Sequence, residues 1–417
     1  MTSSIPLGSI RTHLEKRLFF MPVVAFILTT VYVVLSHLSP AVLFPHLAKY
    51  NIMMWLAGAA TLACLPIFLI HPFRWRSPQV YLMLGLTAAV PVSLIANGQA
   101  GGALRGLREF LVTGMVFFLV LAAVDTVPKM RVLAFAVVIS AIYLLSQSLY
   151  GWYRNGLGSR YVYRQTFYNA QHVSGEFARL QSVGFLADPN DFAQFLLVAA
   201  SLLTLAWSPG RWQRNLALVM LPGAYLLSGV LVTHSRGGLI GLAILVFFLL
   251  EKRFGKIISL VLSAGFLRFL FWIGAQGPRS ISMSDPATTG RIEVAQTGAT
   301  MVRGSPVFGV GFQQFIVLNP SLTAHNSLLL CLAELGVIGC LFWLGLIVFS
   351  MIDLNRIVRN PTAQAQAPGL VSSANGVLIA LFTFFGTAWF LSRTYVMTLY
   401  VLLGMAAAAR QLFLRRE

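Results

Sequence analysis

The sequence predicts an all-α, polytopic membrane protein with about twelve transmembrane helices, and three observations carry that prediction. Apolar residues make up 57% of the 417 residues and charged residues only 10%, whereas an average soluble domain carries about 25% charged residues. The mean hydropathy is +0.78. The apolar residues come in continuous runs of about twenty, enough to cross a hydrocarbon core of roughly 30 Å as a helix. Only helices and closed barrels satisfy every backbone group in lipid, and the two-residue alternation of a barrel strand is absent. The composition therefore excludes a soluble enzyme. Membrane lipids are expected partners, and no nucleic acid is.

Taken in order, the spans are expected at 18–37, 51–70, 78–96, 107–124, 131–150, 192–207, 215–233, 237–250, 256–275, 326–349, 370–391 and 395–413. The first follows a basic tail and lacks a small-residue cleavage site, so it reads as a signal anchor. Polar punctuation divides the others, for example Val127-Pro128-Lys129, Ser208-Pro209-Gly210-Arg211 and Asn360-Pro361. No internal repeat stands out, which speaks against an inverted-repeat transporter. The chain reads as one integral membrane domain, 1–417, with two long connections at 151–191 and 276–325. Both contain aromatic residues and helical periodicity and are expected to be ordered. Cys64, Cys331 and Cys340 fall inside apolar runs with no metal or disulfide spacing, and read as small buried hydrophobes.

Basic residues beside short loops set the orientation. With both termini inside, every inner segment holds at least two Lys or Arg, from Arg11, Lys16 and Arg17 to Arg410, Arg415 and Arg416. Both long connections then lie outside. The outer face nevertheless carries Lys49, Arg105, Arg108, Arg154, Arg160, Arg164, Arg179, Arg236, Arg279, Arg291, Arg303 and Arg393. All but one are Arg, whose planar fork grips phosphate bidentately where Lys is a point charge. Any single one could be a helix anchor at headgroup depth. The set points to an anionic substrate on the outer face, with Arg154, Arg160, Arg164, Arg279 and Arg303 as binding candidates.

Four segments could do chemistry. Thr323-Ala324-His325-Asn326-Ser327 puts a His at the outer mouth of a span. Asn326 or Ser327 can cap that helix, and its N-terminus suits an anion, so Asn326 is also a binding candidate. An imidazole with a pKa near 6.5 is a natural general base; a His that merely caps the helix end is the plainer alternative. Glu334 lies about 900° of helical turn and roughly 13 Å further on, a poor orienting partner for His325. Thr233-His234-Ser235-Arg236-Gly237-Gly238 forms a very tight outer connection in which Arg236 can face a cavity or simply snorkel. Thr288-Thr289-Gly290-Arg291 opens a short surface helix capped at Thr288 or Thr289, with Ile292, Ala295, Ala299 and Val302 at helical spacing and an end at Gly304. Gly309-Val310-Gly311-Phe312 then makes a flexible return to the membrane. Asp188-Pro189-Asn190-Asp191 reads first as a turn and helix cap. Two carboxylates without a third acidic ligand give no metal site, so no metal and no cofactor is expected.

These segments, in this order, resemble the O-antigen ligase and O-antigen polymerase superfamily, and most of all its ligases. The matching features are Asp188-Pro189-Asn190-Asp191-Phe192-Ala193, Ser235-Arg236-Gly237-Gly238, Gly290-Arg291 with Ser305-Pro306-Val307-Phe308-Gly309-Val310-Gly311, and His325-Asn326-Ser327 with Glu334-Leu335-Gly336. They cover 185–345. The resemblance implies a GT-C-like, inverting, metal-independent glycosyltransferase of the bacterial inner membrane, working on the periplasmic face with both termini cytoplasmic. It implies transfer of O-antigen polysaccharide from undecaprenyl diphosphate to the lipid A core oligosaccharide. By motif, the essential residues become His325, Arg236 and Arg291. A polymerase or a protein-glycosylating ligase of the same superfamily is the related alternative. A lipid-linked glycan flippase is the alternative of another class, and it gives His325 no task.

Overall fold

A computed structural model describes residues 7–70, 75–168, 174–275, 286–320 and 323–415. In chain order the helices are α1 (Leu7–Leu38), α2 (Pro40–Leu43), α3 (Ile52–Ile70), α4 (Pro78–Ala96), α5 (Ala100–Ala123), α6 (Val127–Asn155), α7 (Pro189–Leu202), α8 (Trp212–Asn215), α9 (Leu221–Val232), α10 (Arg236–Ala275), α11 (Pro286–Gly304), α12 (Gln314–Leu318), α13 (Ser327–Arg359), α14 (Pro361–Gln366), α15 (Pro368–Ala388) and α16 (Met397–Leu414). The protein is an all-α polytopic membrane protein. A single antiparallel hairpin, β1 (Val162–Tyr168) and β2 (Ser174–Leu180), interrupts the helices. It occupies the first long connection, where the sequence predicted order but no strand.

Eleven of the described helices are long and apolar enough to cross a membrane. The difference from the expected twelve lies in α10, which joins the spans expected at 237–250 and 256–275 into one 40-residue element. A straight helix of that length would run about 60 Å, twice the hydrocarbon core. It is broken at Gly255, whose backbone is non-helical with φ +76°. Contacts between loops show what the break does. Gly184 packs on Ser39, Asn97 Nδ2 donates to the Gly309 carbonyl at 2.7 Å, and Arg179 Nε donates to the Thr233 carbonyl at 2.9 Å. Asn190 and Asp191 join this face through Arg179 and Arg393, and Ser327 through Leu391. Thr233 and Ser327 thus lie on one face, and no described helix between them other than α10 is a span. That placement fits two spans, expected at 237–250 and 256–275, meeting at the break in α10.

Packing sorts the helices into centre and rim. In the spans of α7 and α16, 83% of residues are buried, against 11% in that of α10. Small residues bring the central helices close, as membrane helices require where apolar side chains gain nothing over lipid. A Cβ on Gly404 of α16 would meet the Phe117 carbonyl of α5 at 2.9 Å. A Cβ on Gly238 of α10 would meet Ala193 of α7 at 3.0 Å. Ala406, Ala407, Ala408 and Ala409 are fully buried beside them. The three cysteines are buried and unbridged, as their apolar surroundings predicted.

The second long connection is not flexible where it returns to the bilayer. α13 is broken at Gly336 (φ +65°), and the chain around Gly309 (φ +68°) and Gly311 (φ +111°) lies in the break. Val310 N donates to Ala333 O at 2.8 Å, Gly311 N to Glu334 O at 3.0 Å and Val337 N to Pro306 O at 2.9 Å. Backbone freed from a helix at membrane depth is tolerated only where protein satisfies it, and this loop does so. A side chain at Gly309 or Gly336 would run into the facing backbone. Glu334 faces the loop rather than His325: its Oε1 accepts from Phe315 N at 3.3 Å.

Candidate functional site

The site is built on the turn before α7. Asp188 caps that helix, its Oδ1 accepting from Asn190 N at 2.7 Å and Asp191 N at 3.3 Å, which is the capping role the sequence suggested. Two buried arginines then tie the turn to its neighbours. Arg179 donates from NH2 to Asn190 Oδ1 (2.8 Å), from NH1 to Gln165 Oε1 (3.0 Å) and from Nε to the Thr233 carbonyl. It fixes the hairpin and the turn against the connection that precedes Arg236. Arg393 pairs with Asp191 at 3.1 Å and also donates to the Phe185 carbonyl at 3.0 Å. Both aspartates of the turn are therefore engaged by protein groups, and among the described residues no three His, Cys, Asp or Glu side chains gather. Sequence reasoning counted both arginines among outer cations but gave neither a positioning role. Their signal is a lone Arg between apolar stretches, which anchors share.

His325 is seated by the loop carrying Arg393. Its N–H donates to Ser392 Oγ at 2.9 Å, and its backbone is left-handed at φ +47°, an uncommon state for a residue with a side chain. Ser327 donates to the Leu391 carbonyl at 2.6 Å and accepts from Arg393 N at 2.7 Å. The cap of α13 is Asn326, whose Oδ1 accepts from Leu329 N at 2.9 Å. That removes the plainer task considered for His325, and it directs the Asn326 oxygen to the helix rather than to a ligand. The ring is half-buried, with Nε2 3.3 Å from Thr323 Oγ1. Burial holds its pKa below the ordinary 6.5, the Arg291 guanidinium pushes the same way, and the Asp188 carboxylate opposes them. These two charges act on the imidazole from α11 and from the α7 turn.

Arg291 is exposed on α11, which lies across the start of α13. The buried side of α11 is formed by Val294, Gly298, Met301 and Val302. Of the stripe expected from Ile292, Ala295, Ala299 and Val302, Val302 packs on this side, Ala299 is half-buried, and Ile292 (51% exposed) and Ala295 face outward. Gly298 is the contact point, since a Cβ there would meet the Leu329 side chain at 2.8 Å. The helix begins at Pro286, earlier than the expected cap, and ends at Gly304 as expected; the side chains of Thr288 and Thr289 lie outside the described residues. Arg236 is the first residue of α10, half-buried, after a three-residue connection in which Ser235 Oγ accepts from Gly238 N at 3.0 Å. Gly237 lies against Phe390, on the same loop as Ser392 and Arg393. Loop 389–396 thus stands between the starts of α10 and α13.

The other predicted binding arginines spread outward. Arg154 ends α6, Arg303 ends α11, and both are exposed. Arg160 lies over the Tyr161 ring at 5.3 Å. Arg164 faces Glu176 across the hairpin at 4.0 Å, both largely exposed. Arg279 lies outside the described residues. Beside the site, an apolar groove of about 710 Å³ opens between α1, α3 and α5, bordered by Arg108, Phe185 and Tyr395.

Residues 221–344 match the family model described as O-Antigen ligase. This region resembles the O-antigen ligase and polymerase superfamily. It contains Arg236, Arg291 and His325 and begins after the Asp188–Asp191 turn. The superfamily implies ligase- or polymerase-type glycosyl transfer on lipid-linked glycans. No curated protein matches the chain.

Proposed function

We propose that the protein is an O-antigen ligase: an inverting, metal-independent glycosyltransferase. It moves O-antigen polysaccharide from undecaprenyl diphosphate to the lipid A core oligosaccharide on the periplasmic face of the bacterial inner membrane. What supports this reading is that loop 389–396 seats His325 through Ser392 and packs on Gly237 beside Arg236, with the Arg291 charge acting on the imidazole. In the reaction an acceptor hydroxyl gives its proton to His325 as its oxygen bonds to the anomeric carbon. The sugar–phosphate bond breaks, and the carrier diphosphate leaves as an anion stabilised by Arg236 and Arg291. A depressed pKa keeps the imidazole neutral near pH 7, as a base requires. The neighbouring groove supports a lipid-linked donor, whose chain needs an apolar path from the bilayer to the site.

A deletion strain tests the reaction. Lipid A core lacking long chains, with polymer accumulating on the carrier lipid, is the expected outcome. Core bearing a single repeat unit would assign a polymerase instead, and loss of external carrier-linked glycan a flippase. Purified enzyme should keep its activity in excess chelator; loss that Mg²⁺ or Mn²⁺ restores would overturn the metal-independent reading.

A further inference from the structure

On the face opposite His325, α6, α9, α10 and α15 surround a cavity of about 1390 Å³. It is larger than the roughly 300–1,000 Å³ of ordinary small-molecule pockets. Its walls between the spans are apolar, with Leu227, Leu245, Phe248 and Ile379 among them. Its rim carries four cations from separate places in the chain: Arg131 on α6, Arg211 in the turn before α8, Arg214 on α8 and Lys252 on α10. Among the described residues, no acidic side chain lines it.

Two further observations point to an absent anion. The Nε of Arg131 is buried without a hydrogen-bond partner among the described residues, and its NH2 makes a long 3.4 Å bond to the Gly369 carbonyl. An unsatisfied buried donor on a charged fork is costly unless something accepts from it. The wall at Val219 and Met220 belongs to a π-helical turn, Leu216–Met220, that interrupts the eighth and ninth helices. Such widened turns are rare and occur frequently at functional sites. Trp207 at the rim is 51% exposed, as residues at headgroup depth are.

We propose that this cavity binds an anionic phospholipid of the leaflet opposite the transfer site. The phosphate sits among Arg131, Arg211, Arg214 and Lys252, and the acyl chains lie along the apolar walls. Cationic pockets between membrane helices recognise such headgroups, and a ligand anionic at one end and apolar at the other matches both parts of the lining. The lipid would staple the turn before α8 to the start of α6 and to α10. It takes no part in the transfer reaction.

The test uses full-length protein stripped of native lipid in detergent. Its thermal unfolding and native mass spectrum are measured with phosphatidylglycerol, phosphatidylethanolamine, inorganic phosphate or diphosphate. Phosphatidylglycerol should stay bound and raise the unfolding temperature, and the other three should not. A triple variant R211Q/R214Q/K252Q should lose affinity by about a hundredfold, at roughly fivefold for each cation near an anionic headgroup. If that variant misfolds, the single variant R211Q should show the fivefold part. Equal stabilisation by phosphatidylethanolamine, or by phosphate alone, would overturn the proposal, as would unchanged affinity in the variants.

Discussion

The backbone of His325 is held by Ser392, and its ring meets Thr323 from one side. His325→Ala should therefore fold, bind lipid-linked donor and lose turnover by roughly 10²–10⁴-fold, the usual worth of a general base. His325→Asn is the sharper variant. Asn tolerates the left-handed backbone but takes no proton at neutral pH, so it should be equally inactive. Near-normal turnover in the Asn protein would pass the catalytic burden to the arginines. The same ring predicts a pH profile. Burial and Arg291 both disfavour the imidazolium; activity should be full near pH 7 and fall through an ionisation below 6.5. Arg291→Gln removes one of the depressing charges, so in whatever activity remains the acidic limb should move upward. A limb that stays put, read from kcat/KM against pH, would separate Arg291 from the base. Arg→Lys at Arg236 or Arg291 should impair transfer nearly as much as Arg→Ala, because an ammonium cannot reproduce the fork.

At the scale of elements, the broken α13 and the loop in its break are the critical pair. Gly336→Ala meets both a positive φ and the Val307 carbonyl, and strain at such sites costs about 1–3 kcal/mol. It should lower the unfolding temperature and expose 305–318 to protease. Gly265→Ala, on a lipid-facing helix with open space around it, should do neither. Legibility divides along the same line. Spans, capping turns and the end of α11 at Gly304 are local, written in hydropathy and cap residues, and could be read directly. The α11 stripe is legible only in part, at Val302, because Gly298, with no side chain to register as apolar, is where that helix meets Leu329. The glycines at 309 and 311 announce a turn, but a turn docked into a broken helix depends on Gly336, 27 residues beyond the first of them. The arginines at 179 and 393 were visible only as charges, since their partners lie at Thr233 and Asp191.

For the whole molecule, two crossings by α10, one on each side of Gly255, would return His325 to the face of Arg236. Reporter fusions after Gln181 and His234 should give one side of the membrane, and fusions after Arg214 and Gly255 the other. If Gly255 reports with Gln181, α10 is a single span and the site cannot assemble as described.

The loop between the last two spans has a consequence for biogenesis. Ser392 and Arg393 supply the seat of His325 and the partner of Asp191, and they leave the ribosome after Arg236, Arg291 and His325. Until they arrive, a nascent protein holds Arg236, Arg291 and His325 in the membrane without the contacts that order them. The seating of His325 is thereby deferred until this loop has been made. A chain stalled or clipped before residue 392 should still insert the helices that precede the loop, yet it would leave His325 without its seat and Asp191 without its partner.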